Sequence, residues 1–462
     1  MPLTDYLVIL MFLSFVGLIM TGIPIAYCLA GTGMIFAFVG YLSDQYLGTV
    51  TGLDYNFIGI IVSRIYVTMT NWVLIALPLF IFMGLMLVDR SGIAENLMKS
   101  LQELFGRVRG GLAVTVTLIG VILAACTGIV GASVVLLGLL SLPIMLKQGY
   151  SKELSLGTIA AAATLGILIP PSVMLVVMAD QLALSVGDLF MGAVFPGLML
   201  SAMYVVYLLI YCYLRPKAAP LPAERVHISL RTILAVLKNI IPPAILIVAV
   251  LGSIFFGIAT VTEASGVGVL GSFILALMNR KISFAGFKEV LYNTYNITAY
   301  VLGILIGATF FALVLRGLGG DRLIERILGG MPFGSYGVII FVVFCIFFLG
   351  FFLDWIEISL IVLPLVAPVV PKLGLGIPGF GVLDNPSLVW FAVLIAVTLQ
   401  TSFLTPPVGF SLFYLKGVAP PEVTLSHIYR GVIPFIVLQV ICVILVLLWP
   451  QLVTWLPAVT YR

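Results

Sequence analysis

Two stretches of this chain are apolar enough to be buried, yet each is broken by a pair of prolines. One reads Thr164-Leu-Gly-Ile-Leu-Ile-Pro170-Pro171-Ser172, the other Gln400-Thr-Ser-Phe-Leu-Thr-Pro406-Pro407-Val408-Gly409. Positions 170 and 406 stand 236 apart in 462 residues, about half the chain. A proline inside a helix removes one N–H donor and clashes with the carbonyl four residues back. The pairs therefore strip the helical partners from the carbonyls of Gly166 and Ile167, and of Ser402 and Phe403. In lipid, such carbonyls are tolerated only where they are buried in protein or line a polar cavity.

Lipid is the relevant solvent. The chain is 62% hydrophobic and 9% charged, against about 25% charged for a soluble domain. Its apolar runs are continuous rather than alternating, so an all-α integral membrane protein is expected and not a barrel. The clear runs are Leu7–Ile19, Ile23–Val39, Trp72–Val88, Leu112–Ala125, Leu154–Met178 and Leu189–Leu214. Ile240–Gly257, Gly266–Met278, Ile297–Leu315, Val338–Leu353, Leu388–Leu404 and Ile433–Trp449 follow. That predicts roughly twelve spanning segments, broken helices included. Ala132–Leu146, after the interruption at Gly128 and Gly131, reads as too short to span alone. No cleavable signal peptide is expected, because Met1-Pro-Leu-Thr-Asp5 lacks a basic region. The five cysteines fall in apolar runs without CxxC spacing and read as small buried residues. The net charge of +4 is no nucleic-acid signature, since the basic residues sit between spans.

A second internal match supports two halves. Gly22-Ile-Pro-Ile-Ala-Tyr-Cys-Leu-Ala-Gly31-Thr-Gly33 parallels Gly257-Ile-Ala-Thr-Val-Thr-Glu-Ala-Ser-Gly266-Val-Gly268 at nearly the same offset. Interrupted segments in matching positions of two halves are the best sequence pointer to a transporter's binding site. The expected layout is a first repeat over 1–214, a basic cytoplasmic linker over 215–239 and a second repeat over 240–462. Basic residues in the linker place it inside. Odd crossings per half would make the repeats inverted, with both termini outside and one run in each half re-entrant. Ile93, Leu97, Leu101, Leu104 and Phe105 recur at helical spacing within Asp89–Arg109, which predicts an interfacial amphipathic arm; Gly319–Gly329 is its candidate counterpart.

Catalytic signatures are missing. His227 and His427 lie in polar stretches, and no HExxH, Cys/His cluster or Walker A sequence occurs. An enzyme is therefore not expected, and any transport must draw on an ion gradient or an external partner. Asp354 and Glu357 are the sharpest polar signal. Three apart, they share a helix face, and a carboxylate at mid-bilayer costs roughly 3 kcal/mol on insertion scales. They either face a cavity, cation or partner, or sit near a helix end and cap it. Glu263 is open to the same two readings.

A short apolar run sits upstream of each double proline, as in re-entrant hairpins whose tips meet the broken helices. Hard cations such as Na⁺ want oxygen ligands. Carbonyls at 166–169, Gly166 and Ile169 among them, with the hydroxyls of Ser133 and Thr164, would supply one set. Carbonyls at 402–405, with Thr401, Ser402 and Thr405, would supply another. The alternative is that these hydroxyls bond back to their own helices. Half-helices opening after Pro171 and Pro407 would aim positive dipole ends at one place, which favours an anionic substrate. Gly131, Ser172, Asp354 and Glu357 are the candidate substrate contacts.

These residues resemble the large, DctM-like membrane subunit of tripartite ATP-independent periplasmic (TRAP) transporters, over essentially the whole length. The resemblance rests on Gly22-Ile-Pro-Ile-Ala, Gly106-Arg-Val-Arg-Gly-Gly-Leu112, Gly149-Tyr150, Leu165-Gly-Ile-Leu-Ile-Pro-Pro-Ser172, Phe195-Pro-Gly197, Thr262-Glu263 and Thr405-Pro-Pro-Val-Gly409. It implies a bacterial inner-membrane, sodium-coupled importer of small organic acids working by an elevator motion. It also implies a small four-helix membrane subunit, a periplasmic substrate-binding protein, and two sodium sites beside two hairpins, with no other cofactor. The motif matches carry those sites to Ser133, Thr164, Gly166 and Pro170, and to Thr401, Ser402, Thr405 and Pro406. The chain departs from the family at the first tip, which reads Gly131-Ala-Ser133 where members often carry Gly-Ser-Ser.

Overall fold

Inside a bilayer every backbone N–H and C=O must find a partner within the protein, and the described residues meet this with helices joined by short breaks. A computed structural model describes residues 2–105, 108–127, 130–221, 230–377, 385–406 and 409–461, among which there is no strand. Pro407, Val408, Gly106, Arg107, Gly128, His227, both terminal residues and positions 378–384 of the Gly/Pro-rich loop lie outside the described residues. Nine helices among them are long and apolar enough to cross a membrane. A tenth span forms if Gly59–Met69 and Trp72–Val88, bent by 48°, are taken together. Leu3–Ile19, Gly111–Leu123 and Gly334–Leu349 are shorter apolar helices. Large apolar side chains such as Met34, Phe38, Val248 and Phe344 stand more than half exposed. On a multi-pass membrane protein that is the lipid-facing surface.

The helices start where the sequence offers a cap. Ser151 accepts from the Leu154 N–H at 3.3 Å and Ser283 from that of Gly286 at 3.0 Å. Thr260 and Glu263 form a reciprocal capping box at the head of Val261–Met278. Such boxes satisfy two otherwise orphaned donors, so Glu263 has a structural account. Several runs come out with different ends. The first hairpin's second arm is one continuous helix, Val130–Lys147, of 18 residues, long enough to cross. Ala132–Leu146, expected to be too short, gains Val130, Gly131 and Lys147 at its ends, because Gly131 continues the helix rather than interrupting it. The linker is shorter than its predicted span, because a helix runs from Leu230 to Phe255 and carries Pro242 and Pro243 inside it.

Two hairpins and two broken segments form the centre. The first hairpin pairs Gly111–Thr127 with Val130–Lys147, and the second pairs Gly334–Leu349 with Trp355–Leu373. The first broken segment runs as helix Lys152–Thr164, a 3-10 turn Leu165–Ile167 and helix Val173–Gln181. The second runs as Pro386–Leu404, then Phe410–Val418. Small residues let these elements touch. A Cβ on Gly157 would fall 2.1 Å from the Gly431 carbonyl oxygen, and one on Gly431 2.2 Å from that of Glu153. Helices Lys152–Thr164 and Leu425–Leu448 thus meet backbone to backbone, as small residues permit in membranes. Both expected amphipathic pieces are helices, Ile93–Phe105 and Gly320–Gly329. The second is tied down by Arg326, whose Nη1 lies 2.7 Å from an oxygen of the buried Asp5.

Candidate substrate and cation site

The prolines break both helices as expected, and the chain repairs part of the damage locally. Ser172 Oγ donates to the carbonyl of Ile167 at 2.7 Å, and Ser411 Oγ donates to that of Phe403 at 2.7 Å. Those are the carbonyls four residues before Pro171 and Pro407. Ser172 is fully buried, with its proton committed to that bond. The carbonyl of Ser402 accepts the Thr405 N–H at 3.2 Å.

The candidate cation ligands are placed around the two breaks. Ser133, Thr164, Thr401 and Ser402 are buried, as are Gly166, Ile169 and Pro170 in the first break. Thr405 and Pro406 are half-buried. The hydroxyls do bond back to the backbone: Thr164 to Ala161 at 2.9 Å, Thr401 to Val397 at 3.1 Å and Thr405 to Thr401 at 2.7 Å. Ser402 reaches across to the Phe347 carbonyl at 3.1 Å, tying the second hairpin to the second broken segment. Gly350 makes room there, since a Cβ on it would lie 2.6 Å from Ser402 Oγ. A hydroxyl that donates its proton keeps two lone pairs, so back-bonding and cation ligation are compatible. The two breaks also touch: Gln400 Nε2 donates to Thr164 Oγ1 at 3.5 Å.

Between the hairpin tips lies a cavity of about 330 Å³. The first hairpin contributes Val130 and Gly131, the second Asp354, Trp355 and Ile356. Val173 and Phe410 also line it, and each is the first residue of a half-helix nine residues long. Both half-helices therefore point their N-terminal, partly positive ends at one space. Gly131 is small enough to seat the ring of Tyr414, whose atoms lie 3.1 Å from where a Cβ would be. Asp354 is half-buried and caps the segment after it, accepting the Trp355 N–H at 2.8 Å.

Of the four candidate substrate contacts, the structure brings Gly131 and Asp354 to this cavity. Ser172 and Glu357 are fully buried and are not among its lining residues. Asn296, Tyr300 and Tyr414 line the cavity and had not been singled out. A signal existed for two of them: Asn293-Thr-Tyr-Asn-Ile-Thr-Ala-Tyr300 is a polar run inside the long membrane helix Phe284–Gly317. Among the described residues no group of three or more His, Cys, Asp or Glu could hold a metal ion.

Comparison with known proteins bears on the family and the fold. Residues 12–452 match the family described as the DctM component of the tripartite ATP-independent periplasmic transporter. The C4-dicarboxylate TRAP transporter large permease protein of Vibrio cholerae is 29% identical, with 97% of each chain covered. The ectoine TRAP transporter large permease protein of Halomonas elongata is 27% identical, over 98% of this chain and 99% of its own. The solved YdaH transporter of Alcanivorax borkumensis shares the fold, with a TM-score of 0.59 at 13% identity over 86% of this chain and 89% of its own.

Proposed function

The chain belongs to the DctM component family of tripartite ATP-independent periplasmic transporters, as a multi-pass large permease subunit of the bacterial inner membrane, and on that premise we propose that it imports a small organic anion coupled to sodium. The observation that carries this reading is the convergence of two hairpin tips and two half-helix N-termini on one cavity of about 330 Å³. That volume lies at the small end of the range for ligand pockets. The dipole ends at Val173 and Phe410 favour a carboxylate, and Asn296, Tyr300 and Tyr414 offer N–H and O–H donors to it. Asp354 would repel an anion unless a cation stands between them, which is a physical reason for requiring sodium first.

The sodium sites proposed are the oxygens of Ser133, Thr164, Gly166, Ile169 and Pro170, and those of Thr401, Ser402, Thr405 and Pro406. An elevator motion of the hairpins and broken segments fits the hydrogen bond between Gln400 and Thr164, which ties the two breaks together. Delivery by a periplasmic binding protein and help from a small four-helix subunit are proposed from the family. The test is uptake of labelled C4-dicarboxylate, ectoine and other small organic acids into proteoliposomes under an inward sodium gradient, with and without the two partners. Sodium-driven uptake that needs the binding protein supports the reading. Sodium-driven uptake by the chain alone would instead make it a self-sufficient carboxylate transporter. Thr405→Val and Ser133→Ala should each weaken sodium dependence several-fold; unchanged dependence in both removes the cation assignment.

A further inference from the structure

The second hairpin holds an acid that the site above does not use. Glu357 is 0% exposed, and among the described residues no side chain bonds its carboxyl; the donors near it are the backbone N–H groups of Asp354 and of Glu357 itself, neither in full hydrogen-bond geometry. Ser359, also 0% exposed, has an unpartnered hydroxyl two residues on. The flanking Ile356, Ile358, Leu360 and Ile361 are buried and apolar. A carboxylate in such surroundings must find a counter-charge or be neutral.

No counter-charge is at hand among the described residues. On its own segment the ionisable neighbour is Asp354; from Phe284–Gly317 it is Tyr300; Phe410–Val418 carries Tyr414, beside Asp354, and Lys416, which donates to the Val423 carbonyl. Helix Val173–Gln181 carries only Asp180, which is bonded to Asn71 and Gln181. Gly334–Leu349 carries Tyr336, whose hydroxyl reaches towards the Leu375 carbonyl, and Cys345, which lines a separate apolar hollow with Val362 and Val366. Leu363–Val366 carries none. Every ionisable group facing Glu357 is itself an acid. A sodium ion would need a shell of oxygens, which isoleucine and leucine side chains do not supply.

We propose that Glu357 is a proton-binding site of the second hairpin, loaded while the segment is packed as seen here and unloaded when hairpin movement brings it to water. The bookkeeping is one proton added to one carboxylate. The segment is built to shift: immediately after Glu357 the helix widens into a π-turn over Ile358–Val362, a feature frequent at functional sites. Asp354 lies one turn earlier on the same face, at the cavity. This inference stands on the burial of Glu357 and not on the sodium-coupled reading.

The test uses the full chain in phospholipid vesicles. Infrared difference spectra of wild type against Glu357→Gln should show the C=O band of a protonated carboxylic acid at neutral pH. The band should be of equal size in sodium and potassium, and lost as pH rises. No such band, or one that sodium alone removes at fixed pH, overturns the proposal, the second outcome making Glu357 a metal ligand. A wild-type measurement guards against a misfolded variant. Dicyclohexylcarbodiimide, which adds to protonated carboxyls in apolar surroundings, should label Glu357, located by peptide mass. Labelling should fall roughly tenfold or more between about pH 6 and about pH 9. Labelling that is absent or flat across that series refutes the assignment. Sodium-driven uptake can fail while both readouts succeed, and the reverse, so the two readings are judged separately.

Discussion

Ser172 and Ser411 each return a hydrogen bond to a carbonyl that a proline pair left without one, to Ile167 and Phe403 respectively. Removing either hydroxyl strands a buried acceptor, which costs about 1–3 kcal/mol. Ser172→Ala and Ser411→Ala should therefore lower the thermal unfolding midpoint in detergent, and Ser172→Ala should do so without touching the cavity lining. At this scale the sequence was only half legible. Proline chemistry identified the orphaned carbonyl of Ile167 correctly. Ser172, a candidate substrate contact from its place at a half-helix start, gives its proton to that carbonyl. A hydroxyl at a helix start can face either way, and the path of the chain between the half-helices decides. Glu263 was open to two readings, and the structure takes the helix-end one, in a capping box with Thr260 three residues earlier.

At the scale of elements, the amphipathic helix Gly320–Gly329 is held by a lopsided ion pair. The Asp5 side chain is 5% exposed and that of Arg326 57%. Arg326→Ala leaves the carboxylate buried and alone, whereas Asp5→Asn leaves a guanidinium in contact with solvent. The cost of Arg326→Ala should lie between the roughly 1 kcal/mol of an exposed pair and the roughly 3–5 kcal/mol of breaking a buried one. Asp5→Asn should be milder, and adding it should relieve part of the Arg326→Ala loss. A double-mutant cycle on unfolding midpoints measures both. This helix was legible as a charged counterpart of the arm at Asp89–Arg109, whose apolar spacing at 3.6 residues survives any tertiary context. The extent of Val130–Lys147 was not, because a glycine such as Gly131 reads alike in sequence whether it interrupts a helix or lies inside one. The polar run that places Asn296 and Tyr300 at the cavity was visible in sequence, but nothing in it named the side it would face.

Across the whole molecule, the contact between Thr164 and Gln400 spans 236 positions, the separation of the two double prolines. Thr164 and Gln400, one on each broken segment, thus meet side chain to side chain. Gln400→Leu removes that bond while keeping similar volume. If the breaks hold cations that act together, the Hill coefficient for sodium in uptake assays should fall towards 1, with maximal rate less affected. An unchanged coefficient would uncouple the two breaks.

The backbone contact between Gly157 and Gly431 reaches further than stability. Neither residue lines the cavity, yet each sits where even a methyl group would overlap a carbonyl of the facing helix. In a saturation library selected for transport, positions 157 and 431 should each admit a single letter. Cavity positions such as Phe403 should accept several and shift which solute is preferred. The most intolerant columns in such a map would then mark a mechanical joint rather than a recognition surface.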